Sequence, residues 1–301
     1  MKHRLLIWIS VMSLLLMSCS VPSKTDSRQP VDSPRPQIAL VLGGGAARGF
    51  AHVGVIRALE QEKIPVDLIV GTSVGSLIGA IYAHDRNSFE LEWTAFSLEK
   101  DQIFDYGLLN ALTGMGLAKG EKLEAFVKSK VPVANIEELQ IPYAAVATDL
   151  NRGTKIVLDK GSVAKAVRAS SAIPGVFQPV EHQGKLLVDG GVIDNVPVSV
   201  AREKGADIVI AVDIGQQVNN FNISNVIDVM LQAITIMGAE NAGVRKREAD
   251  ILIAPQIGDV GMLDFTQKKR CMQAGIEATH KMIPEIRSQI DAWRKNKLAQ
   301  R

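Results

Sequence analysis

The sequence predicts an α/β fold, a largely parallel central sheet covered by helices on both faces. Short apolar runs such as "QIALVLGGG" and "PVDLIVGTS" alternate with stretches of helical spacing. Glycine-rich turns at 43–49, 71–75 and 189–191 each follow such a run. No shift in composition divides residues 37–301, so they read as one domain. A strand buried on both faces reads as a continuous apolar run, and parallel sheets between helix layers are built from such strands.

Taken in order, the first strand runs from Gln37 into glycines. "AHVGVIRALEQEK" then puts Val53, Ile56 and Leu59 on one side of a helix. The second strand ends at Gly71, and "VGSLIGAIYAH" follows as a helix rich in small residues. Later strands are "YAAVATDL", "KLLVDGG", "ADIVIAVDIG" and "ADILIAPQI". Helical stretches lie between them, around 120–130, 162–171, 197–204 and 222–247. The amphipathic part, 222–237, is expected to pack on the core. A last helical stretch covers Phe265 to Trp293, where Pro284 is expected to break or kink it. The apolar, glycine-bearing stretch 103–120 reads either as a lip that admits an acyl chain or as a packed loop.

The N-terminus is set apart. Lys2 and Arg4 precede a short apolar run, Leu5 to Met17, too short to span a bilayer as a helix. Residues 1–18 therefore read as an export signal. "LMSC" at its end resembles the lipobox of bacterial lipoproteins, with cleavage before Cys19 and lipidation of its thiol. Ser20, in place of Asp, favours the outer membrane by resemblance to lipoprotein sorting in Gram-negative bacteria. Residues 19–36 are rich in Pro and Ser and form a tether. Losing Lys2 and Arg4 leaves acidic and basic residues in balance, so anchoring would rest on lipid chains rather than on charge.

The formal net charge of +2 over 301 residues gives no global signal for nucleic acid. Two cysteines, Cys19 and Cys271, are too few for a disulfide framework or a cysteine metal site.

Chemistry concentrates in the three turns. Ser73, in Gly71-Thr72-Ser73-Val74-Gly75, stands between a strand and a helix, the setting of a nucleophile elbow. A helix-capping serine is the plainer reading. "LVLGGGAARGF" offers backbone amides after a strand. It departs from a dinucleotide loop, because Arg48 stands where the third glycine belongs and Asp67 precedes the second strand. It lacks the Gly-Lys-Ser/Thr of a P-loop. An oxyanion hole formed by Gly43, Gly44 and Gly45 fits it better. Asp189, in "LLVDGGVIDNVP", either reaches a serine on a neighbouring strand or caps a turn. Asp194 and Asn195, close to Pro197, read as cap residues.

An elbow serine normally needs an imidazole, and the chain has five histidines. His3 leaves with the signal. His52 sits early in the first helix. His84 lies roughly 15 Å beyond the serine at helical rise. His182 lies in a turn, and His280, the only one after Asp189, lies inside a helical stretch. None is placed as a base, so a carboxylate raised in pKa by burial is the alternative.

Glycine-rich "GGGAARG", elbow "GTSVG" and late "DGG", in that order, resemble the patatin-like phospholipases. "AVATDLNRG", "KAVRASSAIPGVFQPV" and "DGGVIDNVPV" resemble their bacterial branch, and the resemblance covers roughly 37–213. It implies a patatin-like three-layer sandwich over 37–301 and a Ser–Asp dyad, with Ser73 as nucleophile and Asp189 as base. It also implies an oxyanion loop at Gly43–Gly45. Arg48 fills the family's basic position, where it orients the loop or meets a phosphate. No metal or cofactor is implied. The substrate would be a phospholipid or other acyl ester beside the membrane. An esterase or thioesterase on soluble acyl groups, or a lipid-binding lipoprotein without turnover, fits the same residues; fluorophosphonate labelling and an ester chain-length series separate the three.

Overall fold

The computed structural model describes residues 34–105, 116–215, 223, 229–236 and 248–300. The export signal, Cys19, nearly all of the tether and the middle of the 103–120 stretch lie outside the described residues.

The main sheet runs β10-β9-β1-β2-β4-β8-β7, with β5 (Thr154–Leu158) joined to β4. The parallel part comprises β10 (Ile251–Ile253), β9 (Ile208–Val212), β1 (Ile38–Leu42), β2 (Leu68–Thr72) and β4 (Tyr143–Asp149). β5, β8 (Lys185–Asp189) and β7 (Val180–His182) are antiparallel additions at one side. A separate pair joins β3 (Gly116–Ala118) to β6 (Gly175–Phe177).

Side chains of a strand alternate between faces, and here both faces are dry. Ile38, Leu40 and Leu42 of β1 join the larger core with α1 (Phe50–Gln61), α2 (Val74–Asp85) and the C-terminal helix. Ala39 and Val41 face the opposite, smaller core with Val198, Val200 and Ala201 of the helix Val198–Glu203. Three layers result, as expected. Helices α3 (Ser88–Ser97), α4 (Glu121–Lys130), α5 (Val163–Ser170) and α6 (Val198–Glu203) follow. Leu231, in the helical stretch 229–236, is buried in the larger core.

The last helix, α7 (Lys268–Ala299), corrects one expectation: it runs unbroken through Pro284. An internal proline costs about 3 kcal/mol. Ile283, Ile286 and Ile290 are buried on this helix, each contributing about 1.5–3 kcal/mol, and they outweigh it. α7 also packs on α1 nearly backbone to backbone. A Cβ on Gly54 would stand 2.0 Å from the Met272 carbonyl oxygen, and one on Gly275 would stand 2.1 Å from that of Ala51. Among the described residues, no helix is long and apolar enough to cross a membrane.

Candidate active site

The site is assembled by β4. β5 lies along one edge of this strand, pairing with 145–149. The other edge is shared. β2 arrives parallel, with Thr72 opposite Val146. β8 arrives antiparallel, with Asp189 opposite Ala147. Two strands running toward each other therefore end against consecutive residues of a third. Ser73 and Asp189, the residues at those ends, are brought together.

Ser73 takes φ 54° and ψ −126°, a left-handed backbone that a side chain rarely adopts. Such strain costs about 1–3 kcal/mol and persists only where the surroundings hold it. They do so here. The Ser73 amide donates to Ser170 Oγ at 3.0 Å, and the Ser170 hydroxyl donates to the Val146 carbonyl at 2.6 Å. The Ser76 amide and hydroxyl donate to the Ser73 carbonyl at 2.8 and 2.6 Å. Gly75 is required because a Cβ there would lie 2.1 Å from the Leu42 carbonyl oxygen. The serine side chain thus stands at the N-terminus of α2, as an elbow demands.

Asp189 is buried, and Oδ1 accepts the Gly191 amide at 2.7 Å. Oδ2 is buried without a partner at full hydrogen-bond geometry. Burial raises the carboxyl pKa to about 6, while the nearby Ser73 hydroxyl and the Gly191 amide favour the ionised form and limit the rise. The Ser73 hydroxyl therefore lies near the Asp189 carboxyl without a hydrogen bond of full geometry to Oδ2.

The glycine loop follows β1. Its first two amides are engaged: Gly43 donates to the Val212 carbonyl at 3.0 Å and Gly44 to the Asn195 carbonyl at 3.2 Å. The Ala47 and Arg48 amides donate to Met262 and Gly45 carbonyls. Among the described residues, no acceptor is recorded for the Gly45 and Ala46 amides, so the loop's free donors are these two. Ala46 itself holds a positive φ of 49°. The loop abuts the elbow, since a Cβ on Gly44 would stand 3.2 Å from that of Ser73.

Arg48 is buried, and its Nε and Nη1 have no hydrogen-bond partner among the described residues. Burial lowers its pKa to about 10, against the opposing fields of Asp213 and Cys271. Asp213 follows β9 and Cys271 lies on α7, so the guanidinium is near both elements.

Of the histidines, His52 comes nearest the loop. It is buried, and Nε2 lies 2.7 Å from the Gly43 carbonyl. Burial lowers its pKa to about 4, so it is neutral, and Nε2 must carry the proton to meet a carbonyl. Its other nitrogen has no partner among the described residues. His84 ends α2, His182 ends β7, and His280 Nδ1 lies 3.8 Å from Glu62 at the surface. His3 lies outside the described residues.

Asp194 and Asn195 are not caps, against expectation. The residue that caps α6 is Pro197, which gives no side-chain bond. Asp194 pairs with Lys155 at 3.0 Å, and its carbonyl accepts the Thr72 hydroxyl at 3.0 Å. Asn195 Nδ2 donates to the Gly44 carbonyl at 3.3 Å. Sequence reasoning missed both Asn195 and Ser170; "DNVP" and "RASSAIPG" were the only signals, and both are contacts made at long range.

A strained serine at a strand–helix elbow beside a buried carboxylate is the arrangement expected of a serine acyl hydrolase. Comparison with known proteins narrows it. The family model "Patatin-like phospholipase" matches residues 40–202, more than half of the chain. The chain belongs to the patatin-like phospholipase family. It is 31% identical over 295 residues to lysophospholipase NTE1 of Scheffersomyces stipitis, covering 86% of this chain and 18% of that protein. It is 40% identical over 190 residues to human patatin-like phospholipase domain-containing protein 6, covering 60% of this chain and 13% of that protein. The chain thus spans a small part of these much longer relatives. The crystal structure of VipD from Legionella pneumophila has the same fold, with a TM-score of 0.57 at 15% identity, covering 84% of this chain and 67% of that one.

Proposed function

We propose that the protein hydrolyses carboxylic esters of phospholipids or lysophospholipids, with Ser73 as nucleophile and Asp189 as base. The observation that carries the proposal is the convergence of a strained serine and a buried, pKa-raised carboxylate on neighbouring residues of β4. Family membership supports a lipid ester as substrate.

At neutral pH the Asp189 carboxylate, with a pKa of about 6, is ionised and yet basic enough for proton transfer. It takes the Ser73 proton as Oγ attacks the ester carbonyl. The oxygen that becomes negative is held by the Gly45 and Ala46 amides, each such donor being worth about 10²–10³ in rate. Collapse expels the alcohol, which takes the proton from Asp189, and leaves Ser73 acylated. Water then attacks the acyl group, giving its proton to Asp189. Release of the fatty acid returns that proton to Ser73. We place the protein in the bacterial cell envelope, lipid-anchored through Cys19, with the outer membrane favoured; mass spectrometry of the mature N-terminus tests the anchor.

The test of activity is fatty-acid release from phosphatidylglycerol and phosphatidylethanolamine micelles by the purified protein, beside folded Ser73→Ala and Asp189→Asn. Release abolished in both variants supports the dyad. Activity that survives Asp189→Asn removes Asp189 as base. Fluorophosphonate labelling of Ser73 without lipid turnover moves the substrate to soluble acyl esters.

A further inference from the structure

We infer that Asn195 is a positioning residue: its side-chain amide turns the Gly44–Gly45 peptide so that the Gly45 N–H faces the reacting carbonyl. This rests on the hydrolase reading above.

Two consecutive peptides of the loop are concerned. The Gly43–Gly44 peptide is pinned at both ends, by His52 Nε2 at its carbonyl and by the Asn195 carbonyl at its N–H. The Gly44–Gly45 peptide is held at its carbonyl by Asn195 Nδ2. A trans peptide points its C=O and N–H in opposite directions. A donor behind the Gly44 carbonyl therefore turns the Gly45 N–H away from Asn195, to where it meets no acceptor among the described residues.

This peptide lies between two glycines, which restrain their own backbone least. Its direction must be imposed from outside. Reversed, it would present the Gly44 carbonyl to a developing oxyanion, a repulsion where attraction is needed. Asn195 is itself wedged. Oδ1 lies 2.6 Å from where a Cβ on Gly44 would stand and 2.9 Å from one on Gly191. Gly191 in turn donates to Asp189. One side chain thus joins the oxyanion loop to the turn that holds the base.

The experiment uses an activated ester and its thiono analogue with the full chain, Asn195→Asp and Asn195→Ala. Asn195→Asp keeps the size and the Oδ1 atom but removes the donor and adds a negative charge; Asn195→Ala removes the donor without a charge, so the effect must appear in both. Sulfur is a poor acceptor, so an intact oxyanion site favours the oxygen ester strongly. The expected result is a kcat on the oxygen ester about tenfold to a hundredfold lower, KM within about threefold, and a collapse of the oxygen-to-sulfur rate ratio. The ratio is the readout that a merely structural role would not move. An unchanged ratio in a folded Asn195→Asp, whatever happens to kcat or Tm, overturns the inference alone. A wild-type chain with neither turnover nor Ser73 labelling overturns the hydrolase reading and this inference with it.

Discussion

Ser73 and Asp189 meet because the strands that carry them end head to head along one edge of β4, opposite Val146 and Ala147. Asp189 ends its strand, and Ser73 is the first residue beyond its own. The carboxylate is buried in the process, and burial raises its pKa to about 6.

That value sets the pH profile. The base must be ionised to accept the Ser73 proton, so kcat/KM on a soluble ester is expected to rise with pH, with a midpoint near 6, and then to level off. Asp189→Asn should lose both the rise and the activity. Initial rates from pH 4.5 to 8 with a p-nitrophenyl ester provide the check. A midpoint near 4 would mean that the active carboxylate is an ordinary exposed one.

Ser170 should matter through the backbone it holds. Its hydroxyl accepts the amide of the strained Ser73 and donates to Val146. Ser170→Ala leaves two buried backbone groups unsatisfied, at about 1–3 kcal/mol each. The expected outcome is a Tm lower by several degrees and a kcat lower by about tenfold, since the elbow is free to relax. Calorimetry and ester kinetics on the same preparation measure both. A lower Tm with kcat unchanged would show that Ser73 holds its geometry without Ser170.

The glycines of the site divide by what a methyl group would meet. At Gly75 it would lie 2.1 Å from the Leu42 carbonyl oxygen, and at Gly190 2.2 Å from that of Val146. Backbone cannot step aside, so Gly75→Ala and Gly190→Ala are each expected to destabilise by about 3 kcal/mol or more, the upper end of what overpacked cores cost. Gly184 has a positive φ of 72° but open space around it. Gly184→Ala should cost only about 1–2 kcal/mol of backbone strain and leave activity intact. Urea titrations of the three variants rank them; equal losses would refute the steric account.

Much of this was legible in the sequence. The apolar runs of β1, β2, β4, β8, β9 and β10 stand out because both faces of the sheet are buried. The elbow and "DGG" stand out because close backbone contact demands glycine. What stayed hidden has no local pattern. Asn195 reaches Gly44 and Ser170 reaches Ser73 from far along the chain, and such polar contacts leave no periodicity. The Gly43 and Gly44 amides pair with the Val212 and Asn195 carbonyls, a long-range pairing with no local signal, and this is why the proposed oxyanion site uses the Gly45 and Ala46 amides. α3 was missed because its apolar residues do not lie on one face: Phe89 and Trp93 are exposed while Leu91 and Ala95 are buried. Pro284 misled because tertiary burial along α7 outweighs a local penalty.

His52 and Asp189 titrate in opposition, and their variants should reveal it. The folded carboxyl of Asp189 has a pKa of about 6 against 3.8 unperturbed. Between those values the folded chain holds a proton that the unfolded chain has released, so this group's contribution to stability falls as pH rises through that window. The folded imidazole of His52 has a pKa of about 4 against 6.5. There the unfolded chain holds the extra proton, so its contribution rises with pH. Each effect amounts to about 3 kcal/mol at about 1.4 kcal/mol per unit, and between pH 4 and 6 they offset each other. Asp189→Asn should therefore be more stable than wild type at pH 7, with an advantage that disappears as pH falls toward 4. His52→Phe leaves the Gly43 carbonyl without its donor and should be less stable at pH 7, by about 1–3 kcal/mol for the lost bond. It should recover relative to wild type as pH falls. Urea midpoints at pH 4.5 and 7 for the three proteins test the pair, and parallel profiles would show that neither group is perturbed by burial.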